Sequence, residues 1–222
     1  MKFPIGIQDF KKIREGGFVY VDKTALLYKL ANEGTIYFLS RPRRFGKSLL
    51  VSTLKYYFGG ERELFSGLAI DALEKDWNSY PIFHVDFNST NYTKSGDALS
   101  KLIKGTVEDW ERQYGYVGNE EFDYGKRFAE LLKHVHATTG KRCVVLVDEY
   151  DKPLLDVLDS GMVEQGGDGK EMLLEDINRE ILKGFYSAFK SADQDLRFVL
   201  LTGVTKFSQV SVFSGFNQPA DI

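Results

Sequence analysis

The sequence predicts a three-layer α/β domain with a mostly parallel central sheet. Three observations carry that prediction. Short apolar strands alternate with amphipathic helices in the order βαβαβαβ. The segment 143–148 (CVVLVD) is apolar almost throughout, as expected of a strand buried on both faces. A Gly-Lys-Ser tripeptide stands between a strand and a helix.

Residues 22–33 (DKTALLYKLANE) read as a helix entered through a carboxylate able to cap it and left at Gly34. Residues 35–40 (TIYFLS) are β-branched and aromatic and predict a strand. Residues 47–58 space their apolar side chains helically and precede Gly59-Gly60. The second strand is 82–88 (IFHVDFN), with Asp86 and Asn88 as turn formers at its end. A helix over 95–114 starts at a serine and carries Leu99, Leu102, Ile103 and Val107. Another over 120–139 ends before Gly140, which suits the left-handed position past a helix end. The third strand is 143–148. Residues 160–169 (SGMVEQGGDG) are glycine-rich and read as a solvated loop, with a lid or partner-binding loop as the alternative. A helix over 170–192 repeats Leu173, Leu174, Ile177, Ile181, Leu182, Phe185 and Phe189 at three- and four-residue steps. The last strand is 197–202 (RFVLLT).

Composition excludes several classes. The 222 residues hold 29 Lys+Arg against 32 Asp+Glu, so there is no basic footprint for direct nucleic-acid binding by this segment. An apolar share of 43% supports a core, and with 14% aromatic residues it argues against disorder. No apolar run reaches the roughly 18 residues of a membrane span. A single cysteine, Cys143, excludes an internal disulfide and a cysteine-based zinc site and points to a reducing cytoplasm. His84, His134 and His136 lack metal-ligand spacing and read as surface histidines. One domain is expected over 1–222, as the front part of a longer protein.

The first strand leads into Arg41-Pro42-Arg43-Arg44-Phe45-Gly46-Lys47-Ser48 and then a helix. The phosphate-loop pattern GxxxxGK[ST] is met at its last three positions, with Arg41 in place of the first glycine. The chemistry lies mostly in the back half. Gly46 lets the backbone approach a phosphate, and the stretch Arg43, Arg44, Phe45, Gly46, Lys47, Ser48 and Leu49 offers N–H groups at a helix N-terminus. Lys47 would reach the β- and γ-phosphates, and the Ser48 hydroxyl would bind Mg²⁺. The alternative is an ordinary strand–helix turn with a surface lysine. Arg41, Arg43 and Arg44 would add charge beside the phosphates, stay solvated, or touch another subunit.

The third strand delivers Asp148 and Glu149 to the C-terminal sheet edge, where ligands of open α/β folds bind. Asp148 would hold Mg²⁺ and Glu149 would polarise the attacking water. An acidic strand end that faces water or caps the next helix is the alternative. The two motifs need each other, because phosphate with Mg²⁺ requires a carboxylate. Thr202 ends the last strand as a candidate γ-phosphate sensor, with Lys206 as a further positive group; a strand cap and a surface lysine are the alternatives. Asp151 could assist Mg²⁺ or arginine contacts, or serve as an acid in a first helical turn.

Taken together, Phe3-Pro4-Ile5-Gly6-Ile7, Val21-Asp22-Lys23-Thr24, RPRRFGKS at 41–48, Val147-Asp148-Glu149-Tyr150-Asp151 and Thr202-Gly203-Val204-Thr205-Lys206-Phe207-Ser208 resemble the bacterial AAA-ATPase-like family over nearly the whole chain. The arginine at position 41 belongs to that family's own pattern, and 213–222 resembles its end-of-ATPase region. The resemblance implies an ASCE-type P-loop ATPase that binds ATP with Mg²⁺. Its sheet would run fifth, first, fourth, third, second strand, with the strand ending at Thr202 between the other two motif strands. The fifth strand is expected beyond Ile222 or absent. The resemblance also implies Asp22-Lys23-Thr24 near the nucleotide base. A homo-oligomer with an arginine supplied in trans and a downstream PD-(D/E)XK nuclease-like domain are further expectations. A non-catalytic, ATP-dependent switch is the alternative function.

Overall fold

The computed structural model describes residues 1–165, 169, 171–205 and 220–222. Helix α1 (Phe10–Glu15) is capped by Asp9, whose carboxylate accepts from the Lys12 N–H at 2.8 Å. There follow α2 (Thr24–Glu33), β1 (Ile36–Ser40), α3 (Lys47–Phe58), α4 (Ala69–Leu73), β2 (Ile82–Asp86), α5 (Ala98–Tyr114) and α6 (Tyr124–Thr139). Then come β3 (Cys143–Asp148), α7 (Lys152–Leu155), β4 (Val163–Gln165), β5 (Glu171–Leu173), α8 (Leu174–Ser191), β6 (Leu196–Gly203) and β7 (Ala220–Asp221). Among the described residues no helix is long and apolar enough to cross a membrane.

The central sheet runs β2-β3-β6-β1-β7, and every pairing is parallel. Side chains alternate across it with the two-residue period of a strand. Val145 and Val147 face one core with Leu99, Ile103, Phe128, Leu132, Phe185 and Phe189 from α5, α6 and α8. Val144 and Leu146 face the other, with Phe10, Leu27, Val51, Leu54 and Phe58 from α1, α2 and α3. The sheet is therefore sandwiched between helical layers, as the apolar strand 143–148 predicts, and the fold is that of an α/β P-loop NTPase. The Cys143 thiol is buried, and burial pushes its pKa up to about 12, so it stays protonated and inert.

Six expectations shift, each for a local reason. The fifth strand lies inside the chain, because Ala220–Asp221 pairs in parallel with Tyr37 and Phe38. A two-residue strand has no periodicity to read. The expected loop 160–169 is partly a hairpin: β4 pairs antiparallel with β5, from Val163↔Leu173 to Gln165↔Glu171. That ladder claims 171–173, so α8 starts at Leu174 and not at 170. Helix α6 starts at Tyr124 because Asp123 accepts from the Lys126 N–H at 2.8 Å, an N-cap that stops the helix from reaching back to 120. Strand β2 ends at Asp86, whose carboxylate turns the chain by accepting from the Asn88 N–H at 2.8 Å. Gly34 leaves α2 in extended backbone at φ −158° instead of closing it in a left-handed turn. Helix α3, by contrast, spans 47–58 as predicted.

Candidate functional site

Strand register assembles the site. Ser40 lies opposite Gly203, and Val147 opposite Leu201, so β1, β6 and β3 end side by side on one sheet edge. The phosphate-loop segment leaves β1 there. Arg44 has φ +68° and Gly46 φ +80°, both left-handed. A Cβ on Gly46 would meet no atom within 4 Å, so glycine is needed there for its backbone angle and not for want of space. Gly46 forms the N-terminal boundary of α3 with no side-chain cap, so the first-turn N–H groups remain available to a ligand. Arg43, Arg44 and Phe45 are exposed; Ser48 and Leu49 are half-buried in the first turn.

Lys47 is only 4% exposed. Its Nζ donates to the Arg41 carbonyl at 3.1 Å and forms an ion pair with Glu149 Oε1 at 3.2 Å. Glu149 adopts φ +53°, an uncommon angle for a residue with a Cβ and one that concentrates at functional sites. Its N–H donates to Thr202 Oγ1 at 3.4 Å. The Thr202 hydroxyl donates in turn to Asp148 Oδ1. Asp148 is buried, and its second oxygen keeps acceptor capacity. The structure thus brings Lys47, Asp148, Glu149 and Thr202 together. Thr202 spends its single proton on Asp148, so its hydroxyl orients the carboxylate in this arrangement.

Among the described residues no group of three or more His, Cys, Asp or Glu side chains is placed to hold a metal. The Ser48 hydroxyl and the Asp148 carboxylate are hard oxygen donors of the kind Mg²⁺ takes, few enough that phosphate oxygens and water would complete the shell. The donor set fits that ion and does not suit a soft metal.

Next to the loop opens an apolar cavity of about 870 Å³, walled by Val21, Leu26, Leu30, Tyr37, Phe45 and Leu49 among others, with Gly46 and Lys23 also in its lining. Of Asp22-Lys23-Thr24, only Lys23 lines it. Asp22 accepts from the Thr24 and Ala69 N–H groups at 2.8 and 2.7 Å, and the Thr24 hydroxyl accepts from the Ile70 N–H at 3.1 Å. Those two residues lock α2 to α4.

Other expected residues fall elsewhere. Asp86 is a turn former, as read. The histidines are more engaged than surface residues: His84 Nε2 is buried without a partner among the described residues, and burial lowers its pKa. His136 Nδ1 lies 2.8 Å from Asp195 Oδ1, and the His134 ring packs on Tyr116. Asp151 makes no side-chain capping bond to α7. It is fully buried and accepts from the Val204 and Thr205 N–H groups at 2.9 and 2.7 Å. Sequence reasoning missed that pairing, although both segments stood out as motifs. Lys206 and 206–219 lie outside the described residues.

Comparison with known proteins identifies the family. The AAA-ATPase-like family, described as "Predicted AAA-ATPase", matches residues 4–213. A curated relative from Azotobacter chroococcum mcd 1, described as "Uncharacterized protein in vnfD 5'region", is 42% identical over 226 residues. The alignment covers 100% of this chain and 40% of that protein, so the chain spans two fifths of the relative's length. No solved structure matches.

Proposed function

Because the chain belongs to the predicted AAA-ATPase family, we propose that it binds ATP with Mg²⁺ and hydrolyses it to ADP and phosphate. One observation carries the reading. Lys47 from the phosphate loop and Glu149 from the neighbouring strand end meet at 3.2 Å, with the free N-terminus of α3 beside them. In this reading the N–H groups over 43–49 cradle the phosphates, and Lys47 leaves Glu149 for the β- and γ-phosphates. Glu149 is then free to take a proton from a water. That water's oxygen bonds to the γ-phosphorus, the bond to the β–γ bridging oxygen breaks, and ADP leaves with the electron pair. Ser48 and Asp148 would hold Mg²⁺, which supplies charge neutralisation at the phosphates. Thr202 would report the γ-phosphate through Asp148. The apolar cavity beside Gly46 suits the flat face of a base, which supports adenine without a polar contact that names it.

Exposed Arg43 and Arg44 leave room for a second copy at the site, with an arginine in trans as the completing charge. A nuclease-like domain further along the full protein would be the output, and a reducing cytoplasm suits the inert Cys143.

The second reading is a non-catalytic switch, favoured by the ion pair itself, which already satisfies both charges without nucleotide. Glu149→Gln separates the two. Its ATP turnover is expected to fall about 100-fold or more while ATP still binds. Unchanged turnover removes Glu149 from the role, and tight wild-type binding without turnover selects the switch.

A further inference from the structure

Asp151 is fully buried, yet it stands just past the Asp148–Glu149 pair, and its side-chain hydrogen-bond partners among the described residues lie on 204–205. Its Oδ2 accepts three hydrogen bonds: from the Val204 N–H at 2.9 Å, the Thr205 N–H at 2.7 Å and the Thr205 hydroxyl at 3.0 Å. Its Oδ1 is buried and accepts none among the described residues. A carboxylate taken from water is costly unless its acceptors are filled, so a half-satisfied one is a poor choice for stability alone.

The surroundings show what it joins. The Tyr150 N–H donates to the Thr202 carbonyl at 2.8 Å, and the Tyr150 hydroxyl donates to the Thr205 carbonyl at 2.9 Å. Residues 149–151 are thus stitched to 202–205. Gly203 permits the fit: a Cβ there would lie 2.4 Å from Tyr150 Cε1 and 2.8 Å from Asp151 Oδ1. On its other side the same segment holds the phosphate loop. The Arg41 N–H donates to the Gly203 carbonyl at 3.1 Å, and the Ser40 hydroxyl to the Val204 carbonyl at 3.0 Å. The Arg41 carbonyl receives Lys47, and Lys47 pairs with Glu149. Asp151 closes a ring of contacts that runs through every strand end of the site.

We propose that Asp151 is a positioning residue for hydrolysis: it clamps Gly203–Thr205 to the turn after β3, so that Lys47, Glu149 and Thr202 keep one register. The proposal rests on the ATPase reading. Without the clamp, 203–205 can slide relative to 148–149. The Thr202 hydroxyl, Glu149 and the Arg41 carbonyl then lose their mutual placement, while the N–H cradle at α3 stays intact.

The test compares wild type, Asp151→Asn and Thr205→Val by melting temperature, ADP affinity from calorimetry and ATP turnover at saturation. Asparagine keeps the shape of the side chain and removes its charge. Asp151→Asn should lower turnover about 10- to 100-fold while ADP affinity changes less than about threefold. Thr205→Val, which keeps the backbone donor, should show a smaller loss in the same direction. The Val204 and Thr205 amides should exchange faster with solvent in Asp151→Asn. Turnover within twofold of wild type, or a loss that tracks melting temperature and ADP affinity together, would overturn the clamp. If wild type binds no nucleotide, the reading of the site fails and the proposal with it; if wild type turns over normally, the result judges the clamp alone.

Discussion

A lysine and a glutamate held 3.2 Å apart, with side chains 3% and 18% exposed, make a pair that neither partner could form alone at low cost. Each charge loses water on burial, and their attraction offsets that loss. In the proposed reading an arriving phosphate would replace Glu149 as the partner of Lys47, which would tie binding to release of the carboxylate. The Thr202–Asp148 bond obeys the same logic. Thr202→Val removes the hydroxyl but keeps the volume, and leaves a buried carboxylate oxygen without its donor. Stability should fall by about 1–3 kcal/mol in urea denaturation. Unchanged stability would mean that the bond is not made in solution. At this scale the site was largely legible. Lys47, Ser48, Asp148, Glu149 and Thr202 each stood at the end or start of a recognisable strand or helix. Asp151 was not, because its partners lie more than fifty residues away and a carboxylate beside a helix start has a simpler local reading.

Helix α2 shows how an element is held by a group outside it. Asp22 precedes the helix and ties it to α4 through the Ala69 N–H. Burial pushes the Asp22 carboxyl up, but the Thr24 hydroxyl and the Ala69 and Thr24 N–H groups outweigh that and hold its pKa below the ordinary value. A pKa depressed by folding gives stability that is whole above the unfolded carboxylate pKa and is lost as pH falls through the folded one. Asp22→Asn should therefore be less stable than wild type at pH 7, and the gap should shrink near about pH 3, read as urea midpoints at both pH values. An equal gap at both would show that the charge of Asp22 plays no part. Helix cores were readable from apolar spacing, and α3 was right at both ends. Helix starts moved wherever another group claimed the backbone: Asp123 for α6 and the β4–β5 ladder for α8.

Across the whole molecule, the strand order brings distant sequence motifs to one edge. Strand β6 is among the last in the chain but inserts between β1 and β3, so Thr202 falls between Lys47 and Asp148. Parallel pairing makes this consistent, because all the strand C-termini point the same way and the ligand edge is shared. The alternation of strands and helices implied the layers, and the order came through the family resemblance. Strand β7 escaped because two residues carry no pattern and pair only by register with Tyr37 and Phe38. The β4–β5 ladder escaped because the glycine-rich stretch 160–169 read as a loop. The central claim is that this edge binds a nucleotide through the phosphate loop. Calorimetry of MgATP against wild type and Lys47→Ala tests it directly. The account predicts saturable binding by wild type that weakens about 30-fold or more in the variant. Equal binding by both, or none by wild type, would contradict it.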